Sequence, residues 1–152
     1  YVTLPRMGIL MNAGMSSFDP GPGLKNSIAP GKRPIVNMCP TIILRDGKPC
    51  MTIGASGGTR IPSSLFQVLA RRLVLDEDLE WAVGAPRVHS EGNEWVMMEE
   101  EFGQMAPDYL ETVGYTLRKG RASAQVRAIE ITESNQLLAS LDPRIRGKER
   151  GI

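Results

Sequence analysis

The clearest pattern of apolar runs set off by polar and glycine positions lies between residues 41 and 58. The apolar runs Thr41-Ile42-Ile43-Leu44 and Cys50-Met51-Thr52-Ile53 flank Asp46-Gly47, a pair suited to a type I′ turn, and together they predict a β-hairpin. The second strand runs into Gly54-Ala55-Ser56-Gly57-Gly58. There the missing Cβ atoms let backbone N–H groups approach a ligand closely or converge on one anion.

Upstream, Met7 to Asn12 reads as the end of a strand, and Asn12 to Pro34 as an irregular loop. Pro20, Pro22, Pro30 and Pro34 each fix φ and remove a ladder donor, so residues 19–34 form a Pro/Gly-rich loop and a candidate lid. Downstream, Leu65, Val68, Leu69 and Leu73 follow Pro62 at helical spacing, which predicts a helix to about Leu75 with Ser64 and Gln67 as a capping box. A second short helix is predicted from Asp78 to Val83, with Asp78 or one of its neighbours as cap. Val88-His89 and Trp95 to Met98 read as strands about the turn Glu91-Gly92-Asn93. Pro107 to Val113 reads as a helix stopped by Gly114. Val126 to Thr132 and Leu137 to Ser140 form a last hairpin about Glu133-Ser134-Asn135. The expected class is α+β with antiparallel sheets, in a single domain over residues 1–152 without internal repeats.

Composition changes this picture little. A net charge of +1 over 152 residues supplies no broad basic field for nucleic acid or anionic lipid, so the expected partner is small or proteinaceous. No stretch reaches the roughly 20 apolar residues needed to span a bilayer, and the first residues carry neither the basic nor the apolar region of a signal peptide. With Asp46-Gly47 as the turn, Cys50 is expected opposite Ile43, and Cys39 about 13 Å further along the strand. A disulfide needs Cα atoms within about 7 Å, so both cysteines read as buried free thiols, with no histidine near enough to suggest a metal.

The glycine-rich stretch admits three uses. Residues 54–58 match the G-x-S-x-G pattern of a strained serine elbow, with Asp76, Asp78 and His89 following in chain order, but that motif needs a parallel sheet and this strand belongs to a hairpin. The glycines can instead bind an anion through their N–H groups, or merely close a strand. His89 reads as structural, Arg60, Arg87 and Arg144 as partners in loop-bracing ion pairs with an acidic substrate as the alternative, and Arg144, Arg146, Lys148 and Arg150 as a solvated tail. Met97 and Met98 read as core filling, and no cofactor is called for.

Taken in order, Gly8-Ile9-Leu10-Met11-Asn12 with Met15 and Phe18, Pro30-Gly31-Lys32-Arg33-Pro34, Met38-Cys39-Pro40-Thr41-Ile42, Asp46-Gly47-Lys48-Pro49, Gly57-Gly58-Thr59-Arg60-Ile61, Ala85-Pro86-Arg87 and Asp142-Pro143-Arg144 resemble the C-terminal part of the gamma-glutamyltranspeptidase small subunit. The resemblance runs nearly end to end. It implies an N-terminal nucleophile hydrolase with an αββα sandwich, built from two subunits of one autocleaved precursor. In such enzymes a new N-terminal threonine attacks an amide and its own amine is the base. The resemblance implies that Gly57 and Gly58 form the oxyanion hole and that large-subunit and N-terminal small-subunit segments of the same precursor are partners. It also places the threonine a few tens of residues before Gly8; Thr3 is too close, so this chain alone is expected to be inactive.

At the substrate positions the chain departs from the family. Ser16-Ser17 stand where an acidic pair holds the substrate's α-ammonium, and Val36-Asn37 where two serines hold its α-carboxylate. Gly14 replaces a frequent glutamine, and the loop from Asp19 to Arg33 is shorter than the lid of lidded members. Together these imply an amide hydrolase or acyltransferase with non-glutamyl acyl specificity, as in the oxamate hydrolase or cephalosporin acylase branches, acting on a small amide or peptide. The alternatives are a non-catalytic relative that kept the fold, and a serine hydrolase using Ser56.

Overall fold

The computed structural model describes residues 3, 4, 6–102 and 105–145, with the side chain of Met105 outside the description. The backbone divides into two compact units, Tyr1–Val36 and Asn37–Ile152.

In the first unit the expected strand ending at Asn12 is reduced to one antiparallel bridge, Thr3 to Leu10. Arg6 (φ 68°) and Gly8 (φ 65°) turn the chain back on itself, and no strand forms over residues 8–12 beyond that bridge. A single 3-10 turn, Gly14–Ser17, follows. The proline-rich stretch is irregular, as its missing donors dictate, and a side chain organises it. Asn26 donates to the Ser17 carbonyl at 2.7 Å and accepts from Ile35 N–H at 3.1 Å, tying the start of the loop to its end. Ser27 donates to the Gly21 carbonyl at 2.5 Å and accepts from Leu24 N–H at 2.8 Å.

The second unit is built on β1 (Thr41–Arg45) and β2 (Lys48–Ser56), the hairpin predicted by the two apolar runs and their Asp-Gly turn. Asp46 (φ 51°) and Gly47 (φ 76°) both take the left-handed conformation that a type I′ turn demands. The register differs from expectation: Ile43 pairs with Met51 and Leu44 with Pro49, so Cys50 is the extra residue of a bulge. Its thiol donates to the Ile43 carbonyl at 3.5 Å and is half-buried, whereas Cys39 is exposed. Two buried thiols are therefore not what the structure shows.

β6 (Gln125–Ile131) and β7 (Leu137–Leu141) complete an antiparallel sheet in the order β1-β2-β6-β7. Alternation sends Met51, Ile53, Val126 and Ala128 to one face. There α1 (Ile61–Leu73) covers them with Ile61, Leu65 and Val68, and α2 (Leu79–Gly84) with Leu79, Ala82 and Val83. The opposite face carries Ile42, Thr52, Ile129 and Leu137 and stays open, with Ile42 65% and Leu137 73% exposed.

Asp78 caps α2 as predicted, accepting from the N–H groups of Glu80 and Trp81. The predicted capping box of α1 does not form, because Ile61 and Pro62 already lie in the helix. Ser64 is fully buried and accepts from Ala124 N–H at 2.9 Å, while Gln67 exchanges hydrogen bonds with both backbone groups of Val88. A second sheet joins β3 (Val88–His89), β4 (Trp95–Met98) and β5 (Thr116–Lys119), with α3 (Met105–Thr112) between β4 and β5. β3 and β4 are antiparallel; β5, which the sequence pattern misses, runs parallel to β4, unlike the other strand pairs among the described residues. Arg118 lies 3.2 Å above the Trp95 ring and helps hold this polar strand.

Candidate active site

The glycine pair sits where β2 ends and α1 begins. Its geometry follows from how closely the chain must pass β6. A Cβ on Gly57 would lie 2.5 Å from Ala124 Cβ and 2.6 Å from Ala124 Cα, so only glycine fits beside Ala124, the residue just before β6. Gly58 has open space but a φ of 65°, which also favours glycine. The 3-10 turn Gly58–Arg60 closes with Ile61 N–H donating to the Gly58 carbonyl. Among the described residues no acceptor takes the N–H of Gly57 or Gly58. Two adjacent unpaired N–H groups at the start of a helix are a ready anion site.

Asn37 belongs to the same unit and comes close: its Nδ2 lies 3.7 Å from where a Cβ on Gly58 would stand. Gly14, Ser16, Ser17 and Val36 belong to the first unit and are all exposed. There Gly14 N–H donates to Asn12 Oδ1 at 3.0 Å and Ser16 donates to the Ala13 carbonyl at 2.7 Å, holding the 3-10 turn.

The serine elbow does not assemble. Ser56 is the last residue of an antiparallel strand, paired with Gln125, and His89 is engaged elsewhere. His89 Nδ1 lies 2.8 Å from Ser63 Oγ and its Nε2 3.0 Å from Glu91 Oε1, which also accepts from Thr59 Oγ1 at 2.6 Å. Hydroxyl, imidazole and carboxylate thus stand in the order of a hydrolytic triad. Ser63, however, lies inside α1 with its hydroxyl also 3.1 Å from the Arg60 carbonyl, and its carboxylate is shared with Thr59. This four-residue connection escaped the sequence reading, which set His89 beside Asp76 and Asp78 in the serine-elbow alternative and otherwise read it as structural. Hydrogen bonds from His89 and Thr59 hold the Glu91 carboxyl below the usual carboxylate range.

A second cluster lies behind the site. Arg87 (1% exposed) donates to Asp142 (0% exposed) at 3.0 Å, to the Ala124 carbonyl at 2.9 Å and to the Val83 carbonyl. Arg144 donates to Asp142 at 3.0 Å and to Glu99 at 3.0 and 2.5 Å, and Glu99 also accepts from Ser123 and from Arg87 N–H. The two arginines thus brace loops by ion pairs as expected, and Arg144 is no part of a solvated tail; residues 146–150 lie outside the described residues. Arg60 makes no such pair among the described residues, its Nη2 resting 3.8 Å from Met97 Sδ. Burial opposes ionisation of Asp142, yet the N–H groups of Arg144 and Val126 and the charge of Arg87 outweigh it and hold the carboxyl below its ordinary value. Burial pulls the Arg87 guanidinium down against the attraction of Asp142. Because Ala124 lies between this cluster and Gly57, the buried charges fix the wall against which the glycine turn is pressed. No group of three or more potential metal ligands occurs among the described residues.

The family model for gamma-glutamyltranspeptidase matches residues 1–152. A glutathione hydrolase proenzyme of Pseudomonas aeruginosa is 34% identical over 96% of this chain and 29% of its own length. An acylase ACY 1 proenzyme of a Pseudomonas species (strain SE83) is 33% identical over 90% and 24%. The gamma-glutamyltranspeptidase of Pseudomonas nitroreducens, solved in complex with L-DON, superposes with a TM-score of 0.82 at 32% identity, covering 99% of this chain and 86% of that one. The chain spans less than a third of the length of these curated relatives, which are named as proenzymes. Its mixed fold with antiparallel sheets is that of the N-terminal nucleophile hydrolases, and the chain belongs to the gamma-glutamyltranspeptidase family.

Proposed function

We propose that this chain is the C-terminal portion of the small subunit of an amide hydrolase or acyltransferase, in which Gly57 and Gly58 donate their N–H groups to the oxyanion and the acyl group is not γ-glutamyl. The observation that carries the catalytic part is the turn itself. Gly57 is pressed against Ala124, and two neighbouring N–H groups have no acceptor. A preorganised donor of this kind contributes about 3 kcal/mol to the transition state. The nucleophile is a threonine upstream of these residues, and the large-subunit and N-terminal small-subunit segments are the structural partners. In support, the sheet face bearing Ile42, Ile129 and Leu137 is apolar and uncovered, as expected for one layer of a sandwich.

The specificity part rests on Ser16-Ser17 and Val36-Asn37. A charge-assisted hydrogen bond from an ammonium to a carboxylate contributes roughly 1.5–3 kcal/mol, so hydroxyls in its place weaken a γ-glutamyl donor by about one to two powers of ten. Kinetics of the complete protein on a γ-glutamyl anilide and on an acyl anilide without an α-ammonium test this. The acyl anilide should be preferred, and Ser17→Asp with Val36→Ser and Asn37→Ser should shift preference toward the glutamyl compound. Preference of the unaltered protein for the γ-glutamyl donor would overturn it.

A further inference from the structure

The glycine turn is anchored unevenly. On its inner side Gly57 is held by Ala124, whereas Gly58 and Thr59 are exposed. The outer anchor begins at Thr59 Oγ1, which donates to Glu91 Oε1 at 2.6 Å, and continues through His89 Nε2 at 3.0 Å. His89 is 5% exposed and paired with Met97 in the second sheet, and its other ring nitrogen meets Ser63 Oγ on α1 at 2.8 Å. Its strand is clamped to α1 by the two bonds between Gln67 and the Val88 backbone. A buried imidazole, fixed from both sides, therefore presents one carboxylate to the residue next to Gly58. The carboxylate comes from the Glu91-Gly92-Asn93 turn, where Gly92 (φ 82°) reverses the chain.

We infer that His89, Glu91 and Thr59 are positioning residues for the glycine turn, forming a hydrogen-bonded brace that holds the Gly57 and Gly58 N–H groups in one orientation. The inference deepens the oxyanion reading above and rests on it for its effect on rate. None of the three need touch substrate. Glu91, with acceptors only, takes hydrogens from both neighbours, and Arg60 adds an electrostatic pull on the same carboxylate. The brace works because displacement of a catalytic donor by about 1 Å is enough to cost a hundredfold in rate.

The test uses the complete, processed protein with Thr59→Val, which keeps shape and removes the hydroxyl at an exposed position, and Thr59→Ser, which restores it. Glu91→Ala removes the carboxylate as an independent second variant. The motion of the glycine amides is read by ¹⁵N relaxation in glycine-labelled protein, and turnover on the preferred acyl anilide is read alongside. In Thr59→Val and Glu91→Ala the Gly58 order parameter should fall from about 0.85 to below about 0.6. kcat should drop about ten- to a hundredfold with KM within about twofold, and Thr59→Ser should recover both. Loosened glycine amides with unchanged kcat would leave the brace standing and overturn the oxyanion reading. Unchanged order parameters in Thr59→Val and Glu91→Ala would overturn the brace itself.

Discussion

Replacing Asp142 with asparagine keeps the side chain's size and removes its charge. Asp142 Oδ2 accepts from Arg87 Nη1 and Val126 N–H, and Oδ1 from Arg144 N–H and Nη1, all at 3.0–3.1 Å. Asparagine offers one oxygen in place of two, so its amide hydrogens must face either the Arg87–Val126 pair or the Arg144 donors. Arg87, 1% exposed, would keep its charge with carbonyls as its remaining acceptors. Breaking a buried pair by removing one partner costs about 3–5 kcal/mol. For a cooperative unit of about 150–250 residues that is a fall in Tm of about 6–20 °C. Thermal and denaturant unfolding of the complete protein measure it, and a cycle with Arg87→Met isolates the pair. The double variant should be less destabilised than the sum of the single ones by about 0.5–3 kcal/mol. Asp142→Asn within about 1 kcal/mol of the parent would refute the reasoning, because the buried arginine would then have found compensation not present in this arrangement.

Other expectations follow from the same packing. Asp142 is held below its ordinary pKa, so its contribution is present above the unfolded value of about 3.9 and lost as pH falls through the folded one. The stability gap between the parent and Asp142→Asn should therefore narrow below about pH 4, and a gap constant down to pH 2 would contradict this. Leu65→Ala, at a side chain 2% exposed between α1 and the sheet, should cost about 2–5 kcal/mol in denaturant unfolding.

Local chemistry in the sequence reached much of the fold. Asp46-Gly47 allows few conformations other than a tight hairpin turn, and Asp78 precedes a short apolar run with a carboxylate ready to cap it; both appear as expected. What failed depended on distant contacts. Thr116-Leu117-Arg118-Lys119 has one apolar position, and its strand exists through pairing with β4 and the stacking of Arg118 on Trp95. The Cys50 bulge shifts the register by one residue, which a turn and two apolar runs do not encode. Ser64 resembles a cap, but its hydroxyl serves Ala124, sixty residues later. At the site, the Gly57-Gly58 pair was legible as an anion-binding turn, while the reason Gly57 must be glycine lies in Ala124, the residue that leads into β6. Likewise His89 was readable as structural, yet its link through Glu91 to Thr59 emerges only when the β3–β4 turn folds over the start of α1.

The central claim, that the glycine turn aims two N–H groups at an oxyanion, is tested most directly by Gly57→Ala in the complete protein. The added Cβ would sit 2.5 Å from Ala124 Cβ and 2.6 Å from Ala124 Cα, so the turn must move away from β6 and carry its N–H groups with it. With rates normalised to the processed, folded fraction, kcat on the preferred acyl anilide should fall about 10²–10³-fold while KM changes little. A processed, folded Gly57→Ala enzyme that keeps kcat within about threefold of the parent would contradict the account, since the loss of even one oxyanion donor is far larger than that.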